Sequence, residues 1–284
     1  EVVETCCGAS RLKSKLLFVA TGQSALSGLP NLMKLMGRFQ VTVQLEDTDV
    51  DAVIRKVILQ KKETARPSID AIVQTNLGEI SRHLHGSKIE HTNDDEAYIV
   101  ADFPLLPVRR RFWEKVLHAL DKTGTGSQLR NQLKIVHEAC REAAEKDLGY
   151  IVPADFIYNQ IAVNAQQNQM ISKDIYETIG GLQKAGKEGD ESKAFQARIV
   201  SLILLMGKLP SEMDHGIVPT ADNIASLMID NLNGDAHAFR KHIPELLAKL
   251  EKDGLLMSLQ TSMGTEYRLQ TTESVLWYDK YNQF

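Results

Sequence analysis

Few residues in this 284-residue chain have the type and spacing to do chemistry. An apolar run over residues 15–20 ends in Thr21-Gly22-Gln23, which sets two polar side chains at its tip. Arg38, between Gly37 and Phe39, directly precedes a second apolar stretch. Arg130 ends the segment Gly126-Ser-Gln-Leu-Arg130. A guanidinium suits phosphate because its planar fork donates two hydrogen bonds at once and keeps its charge. Each position also fits a plain role: a loop leaving a strand, a solvated surface arginine, or a pair on a helix face.

Other clusters carry weaker signals. Arg109-Arg110-Arg111 before Phe112-Trp113 would bind phosphate or DNA, or else the arginines pair with acids while the aromatics enter the core; the second is preferred. His83, His85, His91, Asp94, Asp95 and Glu96 crowd one segment, but their spacing matches no compact zinc pattern, and a polar loop with capping acids is the simpler reading. Gly181-Leu-Gln-Lys-Ala-Gly186-Lys187 approaches the phosphate-cradling pattern G-x-x-x-x-G-K-[ST]. Glu188 stands where the hydroxyl belongs and no strand precedes it, so a polar loop is expected. Residues 236–252 hold His237, Arg240, Lys241, His242, Lys249 and Lys252 against Glu245 and Glu251, with Arg268 further on facing Glu266. Arg240, Lys241, Lys249 and Arg268 are therefore the possible DNA contacts, on a weak basic footprint.

The elements that must position these residues follow from hydrophobic pattern. Residues 15–20 are continuously apolar, as in a strand buried on both faces, and 40–45 alternate as a second strand. Acids at 46–49 open a helix whose apolar face is Val50, Val53, Ile54, Val57 and Ile58. A helix is expected from Pro67 to about His85, a short strand at 98–102, and an extended connector between Pro104 and Pro107. Residues 109–163 read as helical, with breaks at 123–126 and 149–153. Gly180-Gly181 and residues 186–190 read as a linker. Phe195, Ile199, Leu202, Ile203 and Met206 mark a strongly apolar helix. The tail reads helix 220–232, helix 236–252, Gly254, strand 255–259, turn 261–265 and strand 266–270, which is the order of a winged helix.

Hydrophobic residues are 43% and charged residues 25%, which excludes wholesale disorder. With 33 Lys+Arg against 37 Asp+Glu, a net charge of −4 excludes a chain-wide basic surface that holds nucleic acid by counterion release. Cys6, Cys7 and Cys140 make no disulfide framework and suit a reducing, cytoplasmic setting. No apolar run nears the roughly 18 residues a membrane helix needs. The first residues lack a signal peptide's apolar stretch and a starting Met, so a portion of a longer protein is expected.

The order of these segments resembles that of P-loop ATPases of the AAA+ class. Thr21-Gly22-Gln23 resembles the end of their sensor-1 strand, Gly37-Arg38-Phe39 their arginine-finger position, and residues 126–130 their sensor-2 helix. Ile151-Val-Pro-Ala-Asp-Phe156 resembles the start of the last lid helix, and a winged helix closes the same order in origin-recognition types. Residues 16–25, 103–113 and 266–271 are closer still in wording to the BrxC family of bacteriophage-exclusion (BREX) systems. The resemblance implies an α/β fragment of a P-loop core at 1–62, a mainly helical lid region at 63–206 and a winged helix at 207–284, predominantly α overall. It implies ATP and Mg²⁺ in the full-length protein, with Thr21 or Gln23 sensing the γ-phosphate or orienting water. Arg130 would contact phosphates in cis and Arg38 a neighbouring subunit's site in trans. Homo-oligomerisation, other BREX proteins as partners and a role in phage defence follow from the same likeness, with duplex DNA as a further possible partner. No Walker A loop or apolar-Asp-Glu strand precedes residue 15, so this chain is not expected to hydrolyse ATP alone. A non-enzymatic DNA-binding or scaffold module is the competing class.

Overall fold

The computed structural model describes residues 51–120, 127–209 and 217–271, with isolated positions at Val19, Gly37, Phe39, Val41 and Val43. Of the strands expected at 15–20 and 40–45, only Val19, Val41 and Val43 are described, and none of the three is in a strand. They are 72%, 75% and 79% exposed, so Val19 does not show the burial on both faces that the apolar run predicts. The remaining positions lie outside the described residues. The chain divides into two compact units, residues 1–45 with 124–127, and residues 46–123 with 128–284. The second is predominantly helical and holds one two-stranded sheet among its described residues.

Its first described residues, 51–53, are helical and pass into a π-helical turn, Ile54–Ile58, in which the Leu59 N–H donates to the Ile54 carbonyl at 2.8 Å. The wide turn rotates the expected apolar face apart. Ile54 and Leu59 are buried, whereas Val53 and Val57 are 44% and 68% exposed. A 3₁₀ turn, Glu63–Ala65, leads to α1 (Arg66–Thr75) and α2 (Leu77–Ser81). The single helix expected from Pro67 to His85 is interrupted at Asn76, whose side-chain amide donates to the Ile72 carbonyl at 2.9 Å and competes with the backbone ladder.

The segment expected as a strand at 98–102 is a helical turn, α3 (Ile99–Asp102). Asp102 is fully buried there because Arg55, 47 positions earlier, grips both its oxygens at 2.6 and 3.0 Å. That long-range pair outweighs the local β preference of Ile99-Val100. The extended connector is also corrected: the Phe103–Pro104 peptide is cis and the chain turns into α4 (Pro107–Leu120). Next come α5 (Ser127–Ala143) and α6 (Phe156–Gln167), the latter starting after Pro153 rather than at it.

Gly180, Gly181 and Gly186 are not linker but lie inside α7 (Lys173–Lys187). Ile179 and Leu182 are buried on this helix, and their packing offsets the roughly 1 kcal/mol that each helical glycine costs. Gly186 has a steric reason as well. A Cβ there would stand 2.6 Å from the Cβ of Ala194, on the next helix. Asp190 caps that helix, α8 (Glu191–Gly207), by accepting from the Lys193 N–H at 3.0 Å. Ile199 through Met206 are all buried, so this half of α8 is enclosed on every side and forms the centre of the larger core.

The tail is α9 (Ala221–Met228), α10 (Ala236–Lys252), β1 (Leu256–Thr261) and β2 (Gly264–Leu269). Thr220 caps α9, and Asp235 caps α10 by accepting from the Ala238 N–H at 2.9 Å. α9 stops at Met228, short of the expected 232, because Ile229 is extended. The strands pair antiparallel from Leu256 with Leu269 to Thr261 with Gly264. Thr220 bridges β2 at Glu266, which gives the hairpin a short third edge. No helix among the described residues is long and apolar enough to cross a membrane.

Candidate functional site

The tail is held to the helical body along one seam. Residues 149–154 run beside 227–232. The Ile151 N–H donates to the Asp230 carbonyl at 2.9 Å, Ala154 N–H to Leu227 at 2.8 Å, and Leu232 N–H to Gly149 at 2.9 Å. Ile151 through Tyr158 are all buried. Two arginines lock this seam from opposite helices. Arg109 of α4 is fully buried and donates to the carbonyls of Val152 (2.7 Å), Ser226 (3.1 Å) and Ile229 (2.5 Å). Arg198 of α8 donates to Asp155 and Asp230, each at 3.0 Å, and to the Met228 carbonyl at 3.2 Å. Both cations therefore meet the carboxyl end of α9, where the helix dipole favours positive charge. Burial pulls the Arg109 pKa down to about 9, against the opposing fields of Asp155 and Asp230. Burial also works against the Arg198 charge, but Asp155 and Asp230 more than compensate and raise its pKa.

A second lock joins α10 to α2. Arg240 donates to Glu79 through Nε at 3.2 Å and again through Nη2. Its Nη1 reaches Asp222 at 2.6 Å and the Ser226 hydroxyl at 3.0 Å. Beside Glu79 lies His83, wholly buried, its ring nitrogens without hydrogen-bond partners and its Nε2 3.7 Å from Glu79. Burial pushes the His83 pKa down to about 4. Burial would raise Glu79, yet His83 and Arg240 together lower it to about 2. A third set ties the front of the unit together: Arg110 reaches Asp51 at 2.6 Å, and Arg111 takes both oxygens of Asp95 at 2.6 and 2.8 Å. Asp95 also completes a capping box with Thr92.

The expected site residues fall as follows. Thr21, Gln23 and Arg38 lie outside the described residues. Arg130 is in the first turn of α5, with only its backbone described. Of the possible DNA contacts, Lys241 and Lys249 are exposed on α10, and Arg268 is exposed on β2, 3.5 Å from the buried Glu266. Arg240 is turned inward, its side chain 9% exposed and occupied by Glu79, Asp222 and Ser226. The exposed cations of α10 alternate with Glu245, which meets His242 at 3.2 Å. The triple arginine divides its work: Arg110 and Arg111 pair with acids, Arg109 takes only carbonyls, and Phe112 and Trp113 are core.

Sequence reasoning missed the Arg198–Asp155 pair and the Glu79 and Asp222 that hold Arg240. The available signals for the first were a lone arginine in a largely apolar helix and an acid in Pro153-Ala-Asp155; the second pair had none. No family model matches this chain, and no solved structure matches it.

Proposed function

We propose that this chain is the regulatory and assembly portion of a BREX-type phage-defence ATPase. It carries sensor and arginine-finger elements and ends in a winged helix. The observation that carries the reading is the tail itself: α9, α10 and a hairpin, with Thr220 bridged to Glu266, clamped onto a mainly helical body by Arg109 and Arg198. A winged helix fixed in this way reports on its body and does not swing on a tether. ATP and Mg²⁺ belong to the full-length protein, where Arg130 would meet phosphates and Arg38 a neighbouring protomer. The inward turn of Arg240 removes one cation from the surface of α10, so a docked protein partner fits that surface better than duplex DNA.

Substituting Arg38→Ala and Arg130→Ala separately in the full-length protein tests the reading. ATP turnover is expected to fall at least about 100-fold in each, with folding retained. Unchanged turnover in both would leave the non-enzymatic scaffold as the better account. Fluorescence anisotropy of the full chain with labelled duplex DNA at low and moderate salt separates the two kinds of partner, since phosphate contacts lose affinity steeply with salt.

A further inference from the structure

Between the π-helical turn, the start of α1 and α3 lies a cleft of about 340 Å³, lined by Arg55, Lys56, Lys61 and Arg66 and by the backbone at Ala101. No carboxylate is among the described residues that line it. The acids nearby are otherwise engaged. Asp102, buried behind the cleft, accepts from Nε and Nη2 of Arg55 and compensates that charge, while Asp51 is bound to Arg110 and lies 3.9 Å from Arg55. Glu63 pairs with Arg66 at 3.1 Å but is 84% exposed, so water screens that pair. Lys56 is exposed and has no carboxylate partner among the described residues. Lys61 donates to the Ala101 carbonyl at 2.5 Å, a neutral acceptor, so no carboxylate bonds it directly. Burial drives its pKa down to about 8 despite Asp102, with Arg66 adding to the shift.

We propose that this cleft binds a small phosphate-bearing anion. Lys56, Lys61 and Arg66 converge on a hollow that no carboxylate lines, with Arg55 behind them compensated by Asp102, and this is the inverse of a solvated charged surface, where signs alternate. The Arg66 guanidinium and the Lys56 and Lys61 ammonium groups match an anion with several oxygens around one centre better than a single carboxylate. The enclosing side at Leu59 and Ala101 limits the occupant to a free phosphate or diphosphate, or the phosphate tail of a nucleotide, and does not offer the open track a polymer backbone needs. The site is independent of the ATPase reading, because none of its residues belongs to the sensor or finger positions.

The test is calorimetric titration of the whole chain with inorganic phosphate, pyrophosphate and ATP at low salt, repeated on variants. Saturable binding of pyrophosphate is expected. Lys61→Gln should weaken it about tenfold and Lys56→Gln severalfold, while Lys187→Gln, on the exposed end of α7, leaves it unchanged. Lys56 is exposed, so that variant keeps its fold and covers the case in which Lys61→Gln does not. ATP binding tighter than pyrophosphate, and weakened by the same substitutions, assigns the site to a nucleotide's phosphate tail. Equal affinity assigns it to the free anion. Absence of saturable binding by all three probes, or binding that Lys56→Gln and Lys61→Gln leave unaltered, overturns the proposal.

Discussion

Arg240 and Glu79 stand 161 positions apart in sequence and meet as an ion pair in the interior, where Glu79 also borders the buried ring of His83. The pair fastens α10 to α2, so a residue that reads as a DNA contact in the sequence is a structural cation in the fold. Removing it strands a carboxylate in a half-buried place.

Arg240→Ala is therefore expected to destabilise the protein by about 3 kcal/mol in chemical denaturation at neutral pH. Lys241→Ala and Lys249→Ala, both on the exposed face of the same helix, should stay within about 0.5 kcal/mol of the parent. Equal losses in all three would contradict the inward placement of Arg240.

Arg109→Met should be at least as damaging, by roughly 3–5 kcal/mol. It leaves the carbonyls of Val152, Ser226 and Ile229 without their shared donor in a dry interior. Arg109→Lys would rescue only a fraction, because one ammonium cannot span three carbonyls set around a planar fork. Thermal melts of the two variants against the parent check the order.

Stability should fall as the pH drops from about 6.5 to about 4. Across that window the unfolded chain takes up a proton at residue 83 that the folded chain refuses, since burial holds the native His83 pKa near 4 against an ordinary 6.5. Glu79 acts in the same direction lower down. Its carboxylate stays ionised in the fold to about 2 while the unfolded chain protonates near 4.5, so its contribution is lost as the pH falls through that range. The combined loss amounts to about 4 kcal/mol by pH 4, most of it from His83. His83→Phe should flatten the upper part of a plot of urea midpoint against pH; a curve parallel to the parent would remove His83 as its source.

Two glycines of α7 make a matched pair. Gly180→Ala meets nothing within 4 Å and should stabilise by up to about 1 kcal/mol through helix propensity. Gly186→Ala drives a methyl to 2.6 Å from the Ala194 Cβ and should cost about 1–3 kcal/mol through overpacking. Differential scanning calorimetry on both variants gives opposite shifts in Tm if the crossing of α7 and α8 is as close as described.

Local pattern was enough for part of this fold. The apolar run of α8 and the helix 236–252 with Gly254 after it are written in residue order, and they appear where the pattern puts them. What escaped the pattern depends on partners far along the chain. Ile99-Val100 reads as strand until Arg55 claims Asp102, and Gly180-Gly181 reads as linker until Ile179 and Leu182 find α8. The candidate site divides in the same way. Arginine triplets are visible in sequence, but which of the three turns inward is settled by carbonyls at 152, 226 and 229.

The enclosure of α8 has a mechanical consequence. This helix touches α7 on one side and α9 and β2 on another, and Arg198 ties it to Asp155 and Asp230 at mid-length. Displacing β2 would therefore press directly on the central helix of the core, because β2 packs against α8.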